Sequence, residues 1–165
     1  MLYNGDTFEI DGISFRVSFP SDDTYRIPWE ESEGHGPVSE WTRRDKRPGE
    51  LILSSYRGEK RYYDFQEACK IALRDSWGAK GDDGLTGKAK AAFAARADYE
   101  YLRRWCNDEW YFVGVIVTML DDDGDALPYE DSVWGIESDC REYLEETAHE
   151  IARELISEIE SNLAA

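Results

Sequence analysis

Five glutamates, Glu142, Glu146, Glu150, Glu154 and Glu158, recur at every fourth position towards the end of the chain. In a helix that spacing sets each carboxylate about 6 Å further along the axis and about 40° round from the one before. Helix propensity does not require such a row. Like charges four apart cost roughly 0.2–0.5 kcal/mol per pair, so the four pairs together cost about 1–2 kcal/mol. Arg153 relieves only part of this. Leu144, Ala148, Ile151, Leu155 and Ile159 form an apolar stripe on the opposite side, so the row must face solvent or a partner. Two readings stay open: the solvated face of an amphipathic helix, or an array that meets a basic partner and imitates successive phosphates.

A second acidic group, Asp121, Asp122, Asp123 and Asp125 around Gly124, has the look of a calcium loop, but its register fails. With Asp121 as first ligand the required glycine would stand where Ala126 is, so a hairpin turn is expected, one that adds to an acidic surface. Between Trp29 and Trp41, the acids Glu30, Glu31 and Glu33 lie near His35. A general acid–base pair could be built from these, but the spacing matches no catalytic motif, and His35 is expected to be a hydrogen-bonding loop residue. With two histidines and no Cys-x-x-Cys, Gly-x-Ser-x-Gly, Walker-type or His-Glu-x-x-His pattern, no catalytic residue, metal site or cofactor is expected. The basic cluster Arg43-Arg44-Asp45-Lys46-Arg47 is expected to pair with the chain's own acids or with an acidic partner, rather than with phosphate.

The elements that must carry these groups follow from pattern. Alternation on both sides of Asp11-Gly12 predicts a hairpin over 8–19. Residues 20–49, rich in proline and glycine, predict a long irregular segment anchored by Trp29 and Trp41. Strands are expected over 50–57 and 60–63. Asp64 and Glu67 have capping-box spacing and open a helix over 65–77 that Gly78 stops. The stretch 80–87 is rich in glycine and aspartate and is expected to be mobile. An alanine-rich helix over 88–107 shows Phe93, Ala97, Tyr101 and Trp105 every four residues. A strand over 110–120 and a partner reaching 136 should turn at 122–124. Asp139 and Glu142 repeat the capping-box spacing before the last helix, 140–162. Hairpins grouped rather than alternating with helices imply an α+β fold: an antiparallel sheet with about three helices on one face, in a single domain over 1–165.

Composition narrows the function. At 165 residues, 41% hydrophobic and 13% aromatic, the chain can bury a core despite its net charge of −17. That charge is uneven: −7 over residues 1–42, +5 over 43–104 and −15 over 105–165. Such a protein repels nucleic acid and anionic membrane and attracts basic surfaces, though solubility alone also accounts for acidity. No apolar run is long enough for a membrane span. The opening residues lack the basic-then-apolar order of a secretory leader, and three widely spaced cysteines (Cys69, Cys106, Cys140) suit a reducing cytoplasm as small buried hydrophobes.

Four stretches carry a resemblance: Pro28-Trp29-Glu30-Glu31 with Gly34-His35-Gly36-Pro37-Val38-Ser39-Glu40-Trp41; Arg61-Tyr62-Tyr63-Asp64-Phe65; Tyr101 through Trp110; and Trp134-Gly135-Ile136-Glu137-Ser138-Asp139. Together they resemble small acidic proteins of unknown function encoded by bacteriophages and prophages. The resemblance implies a place in the cytoplasm of a host bacterium. It raises the expectation of an inhibitor that binds a host nucleic-acid-binding defence protein, a CRISPR effector or a restriction enzyme, with DNA mimicry as one route. The contact face would be the glutamate row and the 121–125 turn, with Trp29 and Trp41 as a further anchor, and with no direct nucleic-acid or membrane partner. A phage accessory or assembly protein, and a small enzyme using the 29–41 loop, are the alternatives.

Overall fold

The computed structural model describes residues 1–24, 26–78 and 84–165. Positions 80–83 of the glycine- and aspartate-rich stretch therefore lie outside the described residues. In chain order the elements are β1 (Thr7–Ile10), β2 (Ile13–Ser18), α1 (Pro28–Glu31), β3 (Glu50–Tyr56), β4 (Glu59–Asp64), α2 (Phe65–Arg74), α3 (Gly87–Cys106), β5 (Phe112–Leu120), β6 (Ala126–Glu137) and α4 (Arg141–Ala164). The fold is α+β with antiparallel sheets. Contacts group the chain into two compact units, Met1–Tyr25 with Trp110–Ala165, and Arg26–Glu109. No described helix is long and apolar enough to cross a membrane.

The first unit is a four-stranded sheet in the order β1-β2-β5-β6 with α4 packed on it. Asp11 (φ 52°) and Gly12 (φ 79°) both take left-handed backbone, the geometry a two-residue hairpin needs to match strand twist. Strand alternation puts Phe15, Val17, Val113, Val115, Val117 and Met119 into one cluster with Leu144, Ala148, Ile151 and Leu155 of α4. Ser21 bridges to Val113, and the Asp22 N–H donates to the Phe112 carbonyl at 2.9 Å, so the segment after β2 runs beside the start of β5. Helix α4 starts three residues after β6 and packs on both β5 and β6. At about 1.5 Å per residue it is nearly as long as β6 at about 3.3 Å per residue, so it runs back along the hairpin towards the aspartate turn. The capping box expected of Asp139 and Glu142 is not formed: Cys140 occupies the N-cap position and makes no side-chain cap bond.

The second unit pairs the β3–β4 hairpin with α2 and α3. Its turn repeats the first one's geometry with Arg57 (φ 49°) and Gly58 (φ 82°). The Asp64 carboxylate accepts from the Glu67 N–H at 3.0 Å and caps α2 as its spacing predicts. Thr86 caps α3 by accepting from the Ala89 N–H at 3.2 Å. Leu53, Tyr63, Ala68, Ala95, Tyr99 and Leu102 form the core, with Cys69 and Cys106 packed beside it, partly rather than fully buried.

One expectation changes here. Three helices on one face of one sheet become α4 on the four-stranded sheet and α2 with α3 beside the two-stranded one, because β2 pairs with β5 across the whole second unit. On α3 the buried face is Ala91, Ala95, Tyr99 and Leu102, whereas Phe93 is 74% exposed. The irregular 20–49 segment also holds more order than its composition suggests. Pro28 starts the short α1, and Val38 and Thr42 bridge to Tyr63 and Lys60 along β4.

Candidate functional site

Glu142, Glu146, Glu150, Glu154 and Glu158 are all exposed on α4, opposite the buried Leu144, Ile151 and Leu155. None of the five has an ion-pair partner among the described residues, and Arg153 on the same face is exposed too. Glu145, one position off the row, shows the contrast. It accepts from the Leu2 N–H at 2.9 Å and lies 3.5 Å from the terminal ammonium, and that backbone bond, ahead of the ammonium's charge, lowers its pKa. The last turn of α4 has no basic residue, so the end of the row also opposes the helix dipole.

The aspartate turn contributes less than its composition promises. Asp121 turns inward: its Oδ1 accepts from the Asp123 and Asp125 N–H groups at 2.9 and 2.8 Å, and its carboxylate serves the hairpin. Asp122, Asp123 and Asp125 remain exposed. The unit as a whole concentrates the protein's charge. Twenty acids face three bases in Met1–Tyr25 with Trp110–Ala165, while Arg26–Glu109 holds sixteen of each, so the entire net −17 resides in the first unit.

Trp29 and Trp41, expected as exposed anchors, are partly buried instead, with the Arg61 guanidinium between their rings at 5.0 and 4.7 Å. His35 does make a hydrogen bond, but not with Glu30, Glu31 or Glu33. Its Nδ1 lies 2.6 Å from Oδ1 of Asp98 on α3. Oδ2 of the same carboxylate accepts from the Gly36 N–H at 2.8 Å and from the Tyr63 hydroxyl at 2.7 Å, and the His35 ring stacks on Tyr101. Burial, then the bond to Asp98, drive the Tyr63 pKa upward and keep its proton in place. Three donors on one buried carboxylate form a latch that holds the 34–36 turn to α3. Asp98 also borders an open cavity of about 440 Å³ walled by Trp77, Leu85, Phe93 and Ala94, but His35 does not line it.

Of the basic cluster, Arg44 pairs firmly within the chain, as expected, and Arg43 lies a looser 3.9 Å from Glu59. Arg44 grips Glu50 with both terminal nitrogens at 2.8 and 2.7 Å, and the Arg47 N–H donates to the same carboxylate at 2.7 Å. The Arg44 bond lowers the Glu50 pKa to about 2. Glu137, Asp139 and Cys140 bring possible ligand atoms within 4.8 Å of one another, a grouping not visible as a motif. The Cys140 thiol donates to Glu137 at 3.2 Å, and burial together with that bond raises it to about 11, so the group is held by a proton.

Sequence reasoning missed Asp98, Tyr63 and Arg61. Asp98 stands 63 residues from His35, and no local spacing links them. Arg61 lay in a quoted stretch, Arg61-Tyr62-Tyr63, but its tryptophan partners come from a distant segment. No protein-family model matches the chain, and no curated protein or solved structure matches it either.

Proposed function

We propose that this chain is a binding protein whose acidic unit occupies a basic, nucleic-acid-binding surface of another protein. The observation behind the reading is the row Glu142, Glu146, Glu150, Glu154 and Glu158, exposed along one helix without ion-pair partners among the described residues. A helix that served its own fold alone would gain from interspersed lysines, as α3 does with Arg96 and Arg103 about Glu100. Keeping five acids in line at a cost of about 1–2 kcal/mol suits a face that meets cations elsewhere. Carboxylates stepping about 6 Å along a winding path would compete with a phosphate backbone for the same lysines and arginines. The resemblance to phage and prophage proteins points this reading at a host defence protein, a CRISPR effector or restriction enzyme, met in the bacterial cytoplasm.

The test is affinity capture from an infected host, followed by mass spectrometry, with wild type beside a Glu146→Lys, Glu150→Lys, Glu154→Lys variant. Wild type should retain a nucleic-acid-binding protein, retention should fall steeply with salt, and the triple variant should lose it while staying folded. Equal capture by the folded variant would make the row ordinary solvated surface. An accessory or assembly role would then be the better reading.

A further inference from the structure

We infer that Arg61, clamped between Trp29 and Trp41, is a binding site for a phosphate or carboxylate group. Its guanidinium carbon lies 5.0 Å from the Trp29 ring centre and 4.7 Å from that of Trp41. The stack continues on both sides. Trp105 meets Trp29 edge-on at 5.5 Å, Tyr56 stands 6.4 Å from Trp41, and Arg57 lies over Tyr56 at 5.2 Å. Arg61 thus packs over two indole rings, and its N–H donors are what is left to consider.

Among the described residues these donors have no acceptor. Arg61 Nε is sealed from solvent without a hydrogen-bond partner, and the side chain makes no ion pair, so Nη1 and Nη2 form the open side. Four other arginines of the unit are matched: Arg44 by Glu50, Arg74 by Asp75, and Arg96 and Arg103 by Glu100. Arg57 and Lys60 have no ion pair among the described residues either; Arg61 is set apart by an Nε that is sealed from solvent without a partner. Stacking on two indoles offsets the loss of a hydrogen bond at Nε, but does nothing for the terminal nitrogens.

The same donors fit an oxyanion. A planar fork presented end-on matches two oxygens of one phosphate or carboxylate, and flanking rings that exclude water strengthen the pair. The indole N–H groups of Trp29 and Trp41 have no acceptor among the described residues either. Thr42 bridges to Lys60 on β4, which sets Arg43 beside Glu59, two positions from Arg61 on the same strand face. The one acid near Arg43 is Glu59, at a loose 3.9 Å.

The test uses the full chain and the indole and arginine side-chain N–H signals in ¹H–¹⁵N spectra. Potassium phosphate and sodium succinate are titrated against potassium chloride at equal ionic strength. Saturable shifts of the Trp29, Trp41 and Arg61 signals with phosphate, succinate or both are expected, and whichever saturates names the source. Arg61→Lys, which keeps the charge and loses the fork, should weaken binding at least tenfold. Trp41→Phe keeps an aromatic wall, assigns the Trp41 signal, and leaves Trp29 and Arg61 as reporters if the lysine variant does not fold. Shifts that follow ionic strength alone, identical in chloride, would reduce Arg61 to a packing element. So would unchanged affinity in folded Arg61→Lys.

Discussion

Helices α3 and α4 are of similar length and follow opposite electrostatic rules. α3 has a threonine cap, arginines in its last turn and Glu100 between two arginines. α4 has no side-chain cap, no basic residue in its last turn and a row of unpaired glutamates. The units that carry them differ in the same way. Arg26–Glu109 has equal numbers of acids and bases and bonds Glu50 and Asp98 internally, whereas the β1-β2-β5-β6 unit carries the whole net charge and leaves the five glutamates of α4 exposed. One unit thus spends its polar groups on its own architecture, and the other holds them outward. The difference locates where an interaction with a charged partner can occur without dismantling a fold.

The sharpest way to break this comparison is at Asp98. Asp98→Ala removes the acceptor for Gly36 N–H, His35 and Tyr63, and should cost about 3 kcal/mol, read as a lower denaturant midpoint and as faster amide exchange in α3. An unchanged midpoint would refute the latch. Next come two glycines with similar apparent crowding. A Cβ on Gly36 would stand 2.5 Å from the Tyr63 hydroxyl oxygen and 2.7 Å from Ala68 Cβ, both in fully buried residues. A Cβ on Gly114 would stand 2.5 Å from the Trp134 ring, but that ring is 45% exposed and free to swing outward. Gly36→Ala should therefore cost about 2–3 kcal/mol and Gly114→Ala about 1 kcal/mol, and equal thermal shifts would overturn the distinction.

Acid separates charged groups that serve the fold from those that do not. Glu50 is held ionised down to about pH 2 by Arg44, so its contribution is present above its ordinary carboxylate range and is lost as the pH falls through the folded-state value. Glu50→Gln should lower stability at pH 7 by about 1–3 kcal/mol and flatten the decline between about pH 4.5 and 2, followed by circular dichroism. The smallest effect belongs to the glutamate row. Reversing Glu146, Glu150 and Glu154 to lysine should raise the stability of the free protein by about 1 kcal/mol at low salt, and this gain should shrink in 0.5 M sodium chloride. A marked loss of stability would mean that the row serves the fold after all.

Much of the architecture was legible locally. The Asp11-Gly12 hairpin, the Asp64 cap and the β5–β6 hairpin rest on contacts between near neighbours in sequence, and the apolar stripe of α4 on its local periodicity. What escaped was long-range. The pairing of β2 with β5 divides the strands into two sheets, and it depends on residues about a hundred positions apart, Phe15 with Met119 and Val17 with Val117. On α3 the recurrence of Phe93, Ala97, Tyr101 and Trp105 did not say which face is buried; that face runs through Ala91, Ala95, Tyr99 and Leu102, and Phe93 is exposed. On the site, the exposure of the glutamate row followed from helical geometry alone. The inward turn of Asp121 and the capture of Arg61 by two tryptophans did not, since each depends on where the backbone places its donors and rings.

The adjacency of Ser21 and Val113 has a consequence for the chain as it leaves a ribosome. β1 and β2 emerge first and can close their own hairpin, but β2 must wait for its partner until residues 26–109 have been made. At about 5–20 residues per second that interval is roughly 4–17 s, long compared with the microseconds in which a hairpin forms. During it one edge of β2 stands unpaired. The second unit is complete only as this interval ends, and its folding before β5 follows would shorten the loop that β2 and β5 must close.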